Sequence, residues 1–135
     1  QLPPAGTVIG AGASTVCDEC TRKRDVKLIK KFDRIQNVML DAEICILEQG
    51  IICLGPATRA GCGVRCIKGN APCRGCYGPS PDVTDPGAKM MSAIGTMIDS
   101  NDPEEISEIV EQVEDPAGTF YRFSLPSSIL RRKII

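Results

Sequence analysis

No histidine occurs in these 135 residues. That absence excludes imidazole general acid–base catalysis, Cys–His nucleophilic pairs and His-containing zinc sites. Tryptophan is missing too, and the aromatics amount to three Phe and two Tyr. Aromatic rings ordinarily supply much of a small core's buried area, so the chain has little bulky material to pack. No apolar run approaches the ~18–20 residues needed to cross a bilayer, and no secretory signal pattern is visible. With a formal net charge of −1, bulk electrostatics names no partner. The chain opens on Gln1-Leu2-Pro3-Pro4 rather than Met and reads as a fragment, one domain or part of one.

Cysteine and the backbone breakers are plentiful instead. Thirteen Gly and ten Pro crowd mainly into the first two-thirds, which predicts tight turns and little regular structure there. The same stretch carries all eight cysteines: Cys17, Cys20, Cys45, Cys53, Cys62, Cys66, Cys73 and Cys76. Small loop-rich domains make up for a thin core with disulfides or metals. Without His, any thiolate metal site here is all-cysteine.

Three regions follow from the pattern. Residues 1–16 read as an extended linker, because Gly10-Ala11-Gly12 lacks the flanking strand and helix of a phosphate-binding loop. Residues 17–81 hold the cysteines. Within them Arg22, Lys23, Arg24, Lys27, Lys30, Lys31 and Arg34 form a basic run. With Phe32 its one interleaved aromatic, it reads as a solvated face or a docking surface for an acidic protein, not a nucleic-acid site. Residues 38–52 fit a short helix or an extended run equally well.

Residues 82–135 form a helical tail. Asp85-Pro86 supplies an N-cap and a Pro at the first helical position. Met90, Ala93, Ile94 and Met97 then share a face, predicting a helix over about 86–99. Asp102-Pro103 repeats the signal, with Glu105 placed for a capping box and Ile106, Ile109, Val110 and Val113 forming an amphipathic stripe. Glu104, Glu105, Glu108 and Glu111 read as its solvated face. Asp115-Pro116-Ala117-Gly118 stops this helix, and the end through Leu130-Arg131-Arg132-Lys133 is amphiphilic enough to dock on a partner.

Three chemistries compete for the thiols. Disulfides fit an even count, but Cys17-x2-Cys20 and Cys73-x2-Cys76 are spacings at which thiolates converge on a metal. Two closed four-cysteine zinc sites match the count. Zinc ribbons, however, separate their two knuckles by ~15–20 residues, whereas 52 residues lie between Cys20 and Cys73. Two four-iron clusters also use eight thiolates. Glycines beside the ligands, as in Gly61-Cys62-Gly63, Gly75-Cys76 and Cys53-Leu54-Gly55, let backbone N–H groups approach cluster sulfur. Chemistry alone favours iron–sulfur over zinc by a small margin.

The segment Cys53-Leu54-Gly55-Pro56-Ala57-Thr58-Arg59-Ala60-Gly61-Cys62-Gly63, followed by Pro72-Cys73-Arg74-Gly75-Cys76-Tyr77-Gly78-Pro79, resembles the cluster-binding signature of [NiFe] hydrogenase small subunits. The match is closest to the cytosolic, methyl-viologen-reducing (deazaflavin-non-reducing) type of methanogenic archaea, with sulfhydrogenase delta chains the near alternative. It runs from about Leu2 to Ile98 and covers the C-terminal half of such a small chain. The flavodoxin-like domain with its proximal cluster is absent from the match. The resemblance implies a distal [4Fe-4S] cluster on Cys17, Cys20, Cys45 and Cys53, and a medial cluster on Cys62, Cys66, Cys73 and Cys76. Cys17 stands where many relatives have His. Cys66 stands where many have Pro and a three-iron cluster, which implies a four-iron medial centre here.

The expected fold is thus a small, loop-rich, α-containing iron–sulfur domain with two all-Cys cubane clusters as core and two C-terminal helices. The implied function is an electron relay in a cytoplasmic hydrogenase, with no catalytic centre in this chain. A large nickel–iron subunit, a [2Fe-2S] delta subunit and heterodisulfide reductase are the implied partners; no nucleic acid and no membrane are expected. Arg59, Lys68 and Arg74 are candidates to tune the clusters or meet a partner, or else plain solvated charge. A structural all-Cys zinc module and the cluster module of another redox complex, such as a quinone-reductase relative, are the competing readings.

Overall fold

The computed structural model describes residues 2–7, 13–25 and 28–131. Gly10-Ala11-Gly12, Lys27 and the terminal Arg132-Lys133 lie outside these residues. Among the described residues the chain forms five short α-helices, a few 3-10 turns and isolated β-bridges, with no strand. This is the loop-rich, helix-containing architecture expected from the density of Gly and Pro.

In the first half the elements are single turns. Helix α1 (Val16–Glu19) starts where the Asp18 carboxylate accepts from both the N–H (2.7 Å) and the hydroxyl (2.8 Å) of Thr15. Helix α2 (Arg65–Lys68) follows Gly63 and Val64, both left-handed at φ 69 and 56. For a β-branched residue such as Val64 this is a strained conformation, costing about 1–3 kcal/mol; burial of its side chain helps hold it there. Residues 38–52 are neither helix nor strand. They run through bends into a turn at 46–50, and bridge Lys23 to Ile44 in parallel. Their backbone partners are far apart in sequence, which a periodicity test does not register.

The second half is helical. Helix α3 (Pro86–Met97) is capped by Asp85, whose side chain accepts from Ala88 N–H. Met90 and Ile94 are fully buried, with Ala93 and Met97 half-buried beside them, so the predicted face is the buried one. Helix α4 (Pro103–Glu111) is capped by Asp102 through Glu104 N–H. The capping box expected from Glu105 closes indirectly: Ser100 Oγ accepts from Asp102 N–H and donates to the Glu105 carboxylate at 2.6 Å. Ile109 and Val113 are buried and Ile106 and Val110 half-buried, while Glu104, Glu105, Glu108 and Glu111 face solvent.

The expectation of two C-terminal helices needs a correction. Asp115-Pro116 stops α4 but also opens a third helix, α5 (Pro116–Phe120), with Asp115 accepting from Gly118 N–H. The same dipeptide ends one helix and caps the next. Phe120 and Tyr121 then bury against the core, so two of the five aromatics arrive from this overlooked element. Tyr121 reaches back to Asp85, as does the N–H of Ile129, which pins the tail to the start of α3.

The core joins these halves. Ile29 exchanges hydrogen bonds with Met97 and Asp99, and the mostly buried stretch Ile46–Ala57 lies in one cluster with Met90, Ile94 and Ile98. No helix among the described residues is long and apolar enough to cross a membrane.

Candidate metal centre

The eight cysteines sit in loops, a turn and two single-turn helices within and around that buried stretch, and all are free thiols. Cys17 lies in α1 and Cys20 at its end, with Cys20 N–H bonded to Cys17 C=O at 3.3 Å. Val16 N–H bonds to Thr58 C=O and Ala60 N–H to Ser14 C=O. These pairings seat α1 over the Gly55–Ala57 turn. Cys45 is placed by its N–H bond to Lys23 C=O at 2.8 Å. Cys53 and Cys73 are buried, Cys62 is half-buried, and Cys66 and Cys76 are exposed.

Of the predicted distal set, Cys20, Cys45 and Cys53 are near enough to Cys17 for their charges to act on its thiol. Burial pushes the Cys17 thiol up to about 12, and the neighbouring Cys53, Cys45 and Cys20 push it further the same way, against Arg24. Cys53 is likewise raised to about 12 by burial, although its sulfur accepts the N–H groups of Gly55 and Cys73 and these oppose the rise. Burial also raises Cys45, offset by the N–H groups of Glu48 and Leu47. Buried thiols that repel each other when ionised stay protonated until a cation displaces the protons.

Of the predicted medial set, Cys62 and Cys66 are near enough to Cys73 for their charges to act on its thiol. Burial raises the Cys73 thiol, and the charges of Cys62 and Cys66 act on it in the same direction. Gly75 N–H and the Thr58 hydroxyl oppose the rise. Gly75 has φ 84, and a Cβ there would stand 3.2 Å from Leu54 Cδ1, so the Cys73–Cys76 turn depends on glycine. Cys76 follows Cys73 by three residues, across the Gly75 position. The two groups touch: Cys73 N–H donates to Cys53 Sγ at 3.3 Å, and Leu54 N–H to Cys73 C=O at 2.9 Å.

Three features test whether these residues fit an inorganic group. A Cβ at Gly55 would lie 2.8 Å from Cys17 Sγ and 3.8 Å from Cys53 Sγ, so glycine leaves open the space both sulfurs face. Backbone N–H groups already point at Cys45, Cys53 and Cys73 sulfur, the contacts that stabilise metal-bound thiolate. Glu48 is buried next to Cys45 with neither carboxylate oxygen hydrogen-bonded, a cost that a net-negative thiolate cluster does not relieve. No three His, Cys, Asp or Glu side chains among the described residues converge closely enough for a single metal ion. Tetrahedral zinc, with Zn–S bonds of about 2.3 Å, draws its sulfurs to within about 4 Å of one another. A multi-iron cluster binds each thiolate at a different iron and so accepts a wider set.

Among relatives, the G subunit of the F420-non-reducing hydrogenase of Methanothermus fervidus is 40% identical over 122 residues, which is 87% of this chain and 96% of that protein. The chain belongs to the G-subunit family of F420-non-reducing hydrogenases. The corresponding G subunit of Methanothermobacter marburgensis is 38% identical over 134 residues, 96% of this chain but 44% of its own length. That of Archaeoglobus profundus, named as an iron-sulfur subunit of the same hydrogenase, is 36% identical over 139 residues, 99% of this chain and 42% of its own length. The chain thus spans less than half the length of these two longer relatives. No family model matches it. Members of this family carry names that make them hydrogenase subunits.

Sequence reading misses three residues of the site. Glu48 carries no motif, and Thr58, although inside the Cys53–Gly63 signature, is not singled out there as a partner of Cys73. Arg22 reads as solvated, but it is buried. Of the cationic candidates, Arg59 is partly buried and donates from Nε to Pro79 C=O at 3.1 Å, while Lys68 and Arg74 are exposed.

Proposed function

We propose that this chain is the two-cluster electron-relay part of a hydrogenase small subunit, passing electrons from H2 oxidation outward. In this reading Cys17, Cys20, Cys45 and Cys53 hold the distal [4Fe-4S] cluster and Cys62, Cys66, Cys73 and Cys76 the medial one. The proximal cluster belongs to a further part of the small chain, the nickel–iron site to a large subunit, and the onward path to a [2Fe-2S] delta subunit and heterodisulfide reductase in the cytoplasm. Such clusters supply one-electron storage without bond-making chemistry. The chain's residues do the rest: thiolates hold, backbone N–H groups stabilise the sulfurs, and Leu54, Ala57 and Val64 keep water away.

The observation that supports this reading is the Cys73 N–H to Cys53 Sγ bond, which links a residue of one proposed ligand set to a residue of the other. In this account Cys66, exposed on α2, is the fourth ligand of the second group. Cys66→Ser is expected to convert that group's cluster to a three-iron form, seen as a new paramagnetic signal in the oxidised protein, with the first group's signal unchanged. An unaltered spectrum at unaltered iron content would remove Cys66 from the ligand set.

A further inference from the structure

Among the described residues of the basic run, Arg22 alone is buried, at 9% exposure. Its guanidinium donates to Asp41 C=O at 2.7 Å, Ile44 C=O at 3.0 Å, Ile67 C=O at 2.9 Å and Asn70 Oδ1 at 2.8 Å. Every acceptor is neutral, and no carboxylate pairs with it among the described residues. Guanidinium does not deprotonate in a protein, so a full positive charge is fixed here. Its position is specific. Arg22 follows Cys20 by two residues, Ile44 precedes Cys45, and Ile67 follows Cys66. The side chain therefore ties together backbone that flanks ligands of both cysteine groups. A buried cation held by carbonyls alone lacks the opposite charge that usually accompanies one.

We propose that Arg22 is the fixed counter-charge of the clusters, favouring uptake of an electron and so holding their reduction potentials up. This rests on the two-cluster reading above. The four-acceptor cradle holds the charge in place, so it needs no rearrangement when an electron arrives, and neutralising it lowers the potential.

Asn70 offers a test that leaves Arg22 in place. Asn70→Asp puts a carboxylate against the guanidinium at nearly constant shape, and φ 59 at this position is tolerated by Asp. Asn70→Ser removes the same amide contacts, including Asn70 Nδ2–H to Leu40 C=O at 3.1 Å, without adding charge. The full chain is loaded anaerobically with iron and sulfide, its iron is counted, and the potentials are read by dithionite titration under electron paramagnetic resonance. Asn70→Asp is expected to disfavour reduction of at least one cluster by about tenfold, a fall of about 59 mV for a one-electron couple, with Asn70→Ser close to the parent. Arg22→Lys, which keeps the charge, is expected to stay nearer the parent than Arg22→Met. Equal potentials in the Asp and Ser variants would overturn the role of Arg22 while leaving the clusters standing. A parent chain that takes up no iron would instead overturn the two-cluster reading, and this inference with it.

Discussion

At the scale of single residues, the candidate site is set by where side chains are missing as much as by where they stand. Cys53 has its sulfur facing the same opening as Cys17 because residue 55 has no Cβ. Gly55→Ala would place a methyl group 2.8 Å from Cys17 Sγ, tighter than packed atoms permit, so the loop or the sulfur must move. The variant is expected to lose the first group's cluster, about half of the iron, with helix content by circular dichroism preserved. Full iron content in Gly55→Ala would show that the opening is not a cluster seat. The cysteines and Gly55 are legible in the sequence because C-x2-C spacing and Gly beside Cys are local signals. Arg22 is not, since its partners lie 19 to 48 residues away and its neighbours in sequence are solvated.

At the scale of elements, Asp-Pro explains the helical tail. Asp85, Asp102 and Asp115 each accept an N–H of the helix that follows. The first two are legible because an apolar stripe comes after them. The third reads as a stop only, because α5 is too short to show a period. Asp85 does most. Burial alone would raise its carboxyl, but hydrogen bonds from Tyr121, Ala88, Ile129 and Gly87 together hold it below the usual range. Gly87 admits this arrangement, because a Cβ there would collide with the Tyr121 ring and hydroxyl. Asp85→Ala removes the cap and leaves the buried Tyr121 hydroxyl unpaired, a loss of roughly 2–4 kcal/mol. A denaturant midpoint lowered with the slope unchanged is the expected result; an unmoved midpoint would show that the tail is not anchored through Asp85.

At the scale of the whole molecule, one buried stretch serves two purposes. Ile46–Ala57 packs against α3 and also carries Cys53 and the turn under Cys17. Loop-rich architecture and a helical tail are legible from composition, because Gly and Pro exclude long elements wherever they fall. The course of residues 38–52 is not, because distant bridges and buried side chains fix it, such as Lys23 to Ile44. The juxtaposition of the two cysteine groups through Cys53 and Cys73 is also a property of the folded chain alone.

The central claim is that these groups hold two iron–sulfur clusters. Its most direct test is anaerobic iron, sulfide and zinc analysis of the purified chain, with an electron paramagnetic resonance spectrum after dithionite reduction. About eight iron and about eight sulfide per chain, with signals from two reduced clusters, are predicted. About two zinc, no iron and no visible absorption would contradict the account and leave a structural zinc module in its place.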